Sequence, residues 1–166
     1  MNRQNVVELI NILERETEIY EELLKISKDK TDIIVKGKVT DLENITKIEQ
    51  NFAIDIEKLE ALREKVVKNL ADDIGIDHSN LTISEMIKYL DKENAQELEK
   101  YKKNLLGIIN EIKNINDLNS KLIQNSIDYI NFSINLLASI PEANNNYSST
   151  GSSNEGMQKT YFDVKL

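Results

Sequence analysis

The sequence predicts an all-α fold: an elongated antiparallel helical bundle, coiled-coil-like, of three long helices plus one short helix, with a disordered C-terminal tail. Two observations carry that expectation. The 166 residues include one proline and five glycines, far fewer helix breakers than average usage. Hydrophobic residues (40%) and charged residues (30%) alternate in steps of three and four, the period of a helix with one buried face.

The elements follow in order. Over residues 4–36, Val6, Leu9, Leu13, Tyr20, Leu23 and Leu24 lie near one helical face, with Ile10 and Ile12 beside them. Gly37 then offers a left-handed stop. Thr40 and Glu43 have the spacing of a capping box. Behind them Leu42, Ile45, Ile48, Phe52, Ile56, Leu59, Leu62, Val66 and Leu70 form a seam sustained for four heptads. Gly75 is expected to end this second helix, and residues 75–82 read as a loop. Thr82 and Glu85 repeat the capping spacing before a short helix over 83–90, and Asp91 can cap the next one. The last helix, residues 92–139, is the longest. At 1.5 Å per residue it spans about 70 Å, against about 50 Å for each of the first two, so it is expected to bend or to project beyond them. Leu98, Tyr101, Leu105, Ile109, Ile112, Ile123, Ile127, Ile130, Ile134 and Leu137 fall on one stripe at 100° per residue. Asn116 and Asn119 interrupt it, either fixing register at some cost in stability or marking local solvation. Pro141 stops the helix. The expected domains are therefore a helical bundle, 1–140, and a flexible polar tail, 141–166, too poor in apolar residues to order itself.

Composition excludes several classes of function. A net charge of −8 argues against nucleic-acid binding and against anionic membrane surfaces. Without cysteine there is no disulfide framework, thiolate metal site or Cys nucleophile. The N-terminal residues lack the apolar run of a signal peptide, and no stretch approaches a membrane span, so a cytoplasmic protein is expected. His78 is the only histidine. Residue 75 is Gly, so the Glu-x-x-His pair of a di-iron bundle is missing. No nucleophile elbow surrounds any serine, and neither phosphate-binding glycine motif occurs. The expectation is no catalysis, no cofactor and no metal.

The informative stretch is residues 122–140, LIQNSIDYINFSINLLASI, in which only Asp128 is charged. Beside the Ile123–Leu137 stripe runs a second one, Leu122, Tyr129, Leu136 and Ile140, roughly 120° away by helical spacing. Two apolar faces need two neighbours. Either this is the central helix of a bundle, or one face receives a partner's amphipathic helix. The excess length of the helix favours the partner.

Here the chain resembles the FlgN family. The likeness covers most of the sequence: an acidic, cysteine-free, all-helical protein of this size with two long helices, a short one and a final long one. It rests on NSKLIQNSIDYINFSINLL over residues 119–137 and on YFDVK over 161–165. The resemblance implies a flagellar type III export chaperone. Such a protein binds the C-terminal helical regions of the hook–filament junction proteins FlgK and FlgL, prevents their premature assembly and delivers them to the export gate. By position it implies partner-binding roles for Ile123, Ile127, Tyr129, Ile130, Ile134 and Leu137, in a monomer or weak dimer. The competing expectations are a structural coiled coil that pairs with itself through the same stretch, and a phosphotransfer bundle. The second of these needs a helical histidine, whereas His78 falls in a loop.

Overall fold

The computed structural model describes residues 2–77 and 81–139. The only histidine, Ile140, the expected domain boundary at 140/141 and the YFDVK segment lie outside them. The described residues form α1 (Arg3–Val35), α2 (Val39–Ile74), the short α3 (Ile83–Met86) with a 3-10 turn (Ile87–Tyr89), and α4 (Lys92–Ser139). There is no strand among them, and the all-α expectation holds. Two units divide the chain, residues 1–130 and 131–166.

The helix ends follow from local chemistry. Asn2 starts α1, its side-chain oxygen accepting from the Gln4 amide at 3.0 Å. Gly37 has φ 63°. With it in that conformation, the Lys38 amide donates to Ile33 O and the Gly37 amide to Ile34 O, which satisfies carbonyls that the last turn leaves open. Gly75 (φ 72°) closes α2 in the same way. Thr82 accepts from the Glu85 amide at 3.2 Å and Asp91 from the Asn94 amide at 3.0 Å, as the spacing predicts. The capping box at Thr40 does not form. The turn after Gly37 is so tight that α2 already begins at Val39, without a side-chain cap on Lys38. Thr40 therefore sits inside the first turn, where the extended backbone of a cap residue is lost.

Within residues 1–130, α1 and α2 are antiparallel. The Asn2 amide donates to Asp73 at 2.7 Å, Arg63 pairs with Glu16 at 2.9 Å and Lys30 pairs with Glu49 at 2.6 Å. The fourth helix runs beside α1 in the same direction: Tyr101 hydrogen-bonds Glu14, Lys28 pairs with Glu111, and Asn119 bonds Ser27 and Thr31. The main core gathers Val6, Leu9, Ile10, Ile12 and Leu13 of α1 against Leu59, Val66 and Leu70 of α2, Leu98 and Leu105 of α4, and Met86 of α3. Burying side chains of this size contributes about 1.5–3 kcal/mol each. Two positions of the expected α2 seam, Ile48 and Leu62, are instead exposed.

On α4 the buried positions are Leu98, Leu105, Ile112 and Asn119, a strict seven-residue repeat. A stripe drawn at 100° per residue drifts away from such a seam, because packed helices keep contact at 3.5 residues per turn. That is why Ile109, placed on the stripe by sequence, is 40% exposed. Asn119 is 3% exposed. Its side-chain amide donates to Ser27 O at 3.0 Å, and its Oδ1 accepts from the Thr31 hydroxyl at 2.7 Å. Of the two readings of these asparagines, register-setting fits Asn119 and solvation fits Asn116, which is exposed. Asn119→Ala should cost about 1–2 kcal/mol through loss of its two buried side-chain hydrogen bonds, while Asn116→Ala should change stability by less than about 0.5 kcal/mol. Urea unfolding of the two variants measures both.

Among the described residues Glu16 is the one buried carboxylate, 1% exposed, with Oε2 bonded to Arg63. Burial pushes its carboxyl above the ordinary 4.5, with the Arg63 charge opposing. A raised value means that the ionised form weakens folding. The protonated form carries no such cost at low pH, and the cost grows as pH rises through the raised value. Glu16→Gln keeps the shape without the ionisation. Its unfolding free energy should therefore rise relative to wild type as pH increases from below 4.5 to neutrality; a pH-independent difference would contradict this.

Candidate functional site

Ile123, Ile127, Tyr129 and Ile130 lie on α4 within residues 1–130. Their helical conformation follows from an unbroken segment without glycine or proline between Gly107 and Pro141. Ile123 is half-buried. Ile127, Tyr129 and Ile130 are exposed, by 45%, 71% and 55% respectively. After Asn119 the seven-residue repeat reaches Ser126, which is exposed and whose hydroxyl donates to Leu122 O at 2.9 Å. The seam thus passes from apolar knobs to a small polar residue. Leu122 and Tyr129 flank it on one side, Ile123 and Ile130 on the other. Ile34 and Val35, at the end of α1, join Leu122, Asn125, Ser126, Tyr129 and Ile130 in lining an open concavity of about 500 Å³.

Within residues 122–130, therefore, Leu122 and Tyr129 of one sequence stripe and Ile123 and Ile130 of the other flank a single seven-residue repeat. The end of α1, which sequence reasoning did not include, contributes Ile34 and Val35. The signal that could have found them is the Ile33-Ile34-Val35 run, one residue short of the Lys36-Gly37 stop.

Residues 131–139 are the described part of the second unit. Phe132, Ile134, Leu136 and Leu137 are all exposed there. Asp128, whose Oδ1 accepts from the Gln124 side chain at 2.9 Å, is the one charged residue between 122 and 139. A surface of this composition exchanges water readily for another apolar surface and offers few charges that would have to be desolvated. It has the chemistry of docking rather than of bond-making. Among the described residues no group of three or more His, Cys, Asp or Glu could hold a metal ion, and no helix is long and apolar enough to cross a membrane.

Since these side chains already face water, Ile130→Asp should leave helicity unchanged and alter stability by less than about 0.5 kcal/mol. Leu105→Asp, which buries a carboxylate in the core, should cost several kcal/mol, roughly 3 or more. Circular dichroism with thermal unfolding distinguishes the two.

Comparison with known proteins gives two matches. The family described as FlgN protein matches residues 1–155. A Bacillus subtilis (strain 168) protein, "Uncharacterized protein YvyG", is 29% identical over 141 residues, covering 84% of each chain. No solved structure matches.

Proposed function

This chain belongs to the FlgN family of flagellar export chaperones, and we propose that its cargo is the C-terminal helical regions of the hook-associated proteins FlgK and FlgL. The observation that carries the reading is the apolar and solvent-facing stretch at the end of α4, in which Asp128 is the one charged residue. Exposed apolar surface of this kind marks an interaction site on a soluble protein. Ile123, Ile127, Tyr129 and Ile130, and in the second unit Ile134 and Leu137, are the side chains that meet the cargo.

The mechanism is coupled folding and docking. In the cytoplasm the cargo's unfolded, amphipathic end takes up helix as its apolar side chains leave water for the α4 surface. While so covered, those side chains are withheld from premature assembly. Ordering the cargo offsets part of the gain from burial, so affinity is moderate for the area involved, which allows release at the export gate. FlgN is a chaperone family, which supports reading this chain as a chaperone rather than an enzyme, and no step of the docking requires a cofactor.

Calorimetric titration with the C-terminal segments of FlgK and FlgL from the same organism tests the proposal. Wild type should bind one segment per chain at micromolar or tighter affinity, with a negative heat-capacity change from apolar burial. The folded Ile130→Asp variant should lose at least about tenfold, the effect of placing one charge in an apolar interface. Absence of binding by either segment, together with a tight dimer in light scattering, would replace cargo capture with self-association through the same side chains.

A further inference from the structure

Within residues 1–130, α1 lies along α4 on a seam whose buried α4 positions are Leu98, Leu105, Ile112 and Asn119. Asn119 bonds Ser27 O and the Thr31 hydroxyl, and α1 ends about one turn after Thr31, at Val35. The next position of the repeat, Ser126, lines the open concavity together with Ile34 and Val35. Gly37 then turns the chain away into α2. The seam thus runs on along α4 while the helix that covers it stops.

The concavity, of about 500 Å³, is suited to an apolar side chain. Ile34 and Val35 wall it from α1, and Leu122, Tyr129 and Ile130 from α4. Among the described residues that line it none is charged, so no ionised group would have to be desolvated. Val35 and Ile130 are exposed, by 68% and 55%, and both would lose water to a group seated between them. Ser126 is too small to fill the place that leucine or isoleucine takes earlier in the repeat. Its hydroxyl already donates to Leu122 O at 2.9 Å, so an apolar occupant would strand no donor there.

We propose that this concavity is the anchor pocket of the cargo site, receiving one large apolar side chain (leucine, isoleucine, methionine or phenylalanine) from the cargo's amphipathic helix. The inference deepens the cargo reading and rests on it. The cargo helix takes up the seam where α1 leaves it, so its packing continues an interface that the chain already uses internally. Up to Ile112 α4 supplies apolar knobs to that interface; at Ser126 it supplies the hole, and the cargo supplies the knob. Ser126 and Val35 are then the specificity-determining residues, Ser126 through its small volume and Val35 by closing the pocket from α1. A cargo segment with only small or polar side chains at this position would leave the hole unfilled and bind weakly. A flat apolar strip makes no such distinction.

The test is calorimetric titration of the full chain with the C-terminal segments of FlgK and FlgL, comparing wild type with Ser126→Leu, Ser126→Ala and Val35→Asp. Both positions are exposed, and circular dichroism checks that each variant folds. Ser126→Leu adds apolar surface but fills the pocket, so affinity should fall at least about tenfold. Ser126→Ala keeps the space and should bind within about twofold of wild type. Val35→Asp puts a charge in the α1 wall and should also lose at least about tenfold. Equal binding by wild type, Ser126→Leu and Val35→Asp would overturn the pocket while leaving the α4 surface as the cargo site. Tighter binding by Ser126→Leu would do the same, and if that variant does not fold, Val35→Asp decides alone. Failure of both segments to bind wild type would remove the cargo reading and the pocket with it. A wild-type dimer in light scattering that Ser126→Leu dissolves would overturn the proposal by assigning the concavity to a second copy of this chain.

Discussion

Asn119 is the last described residue of α4 to be buried, and its amide ties α4 to α1 through Ser27 and Thr31. Apolar contacts alone would let two parallel helices slide by a heptad at little cost, since each Leu or Ile knob finds an equivalent hole. A buried amide cannot slide without leaving donor and acceptor unmet. The register fixed at this rung sets which part of α4 lies against the end of α1. It therefore also sets where Leu122, Ser126, Tyr129 and Ile130 stand relative to Ile34 and Val35.

The polar lock separates two uses of one helix. Before Asn119 the seam is filled by Leu98, Leu105 and Ile112, and the helix is part of the folded body. After it, through Ile130, the same repeat meets a serine, and the large apolar side chains on either side are half-buried or exposed. A side chain committed to the core is unavailable to a partner. A chaperone that folds first and binds later needs that division, and a buried polar rung provides it at a modest cost in stability. Glu16 is a second polar group inside the body, and it too coincides with a place where apolar surface stays open.

Much of this was legible in the sequence. Helix boundaries at Gly37, Gly75, Asp91 and Thr82 follow from single-residue chemistry, because a left-handed glycine or a capping side chain acts locally. The Thr40 box failed because a turn two residues away consumed the extended conformation that a cap requires, which a spacing pattern does not register. The apolar stretch after Asn119 was visible from its lack of charge. Along α4 as a whole, a stripe drawn at 3.6 residues per turn drifts from a packed seam that repeats every 3.5; that difference moves Ile109 off the seam and brings Ser126 onto its repeat. The contributions of Glu16 and Ser27 depend on contacts between residues far apart in sequence, and no local pattern marks them.

Hydrogen–deuterium exchange with and without the C-terminal segment of FlgK or FlgL tests the central claim most directly. Docking onto the end of α4 should slow amide exchange in residues 122–130 and 131–139. Residues 92–119, already packed in the body, should remain unchanged. Protection confined to the body, or none at saturating cargo, would contradict the assignment of the cargo surface to the end of α4.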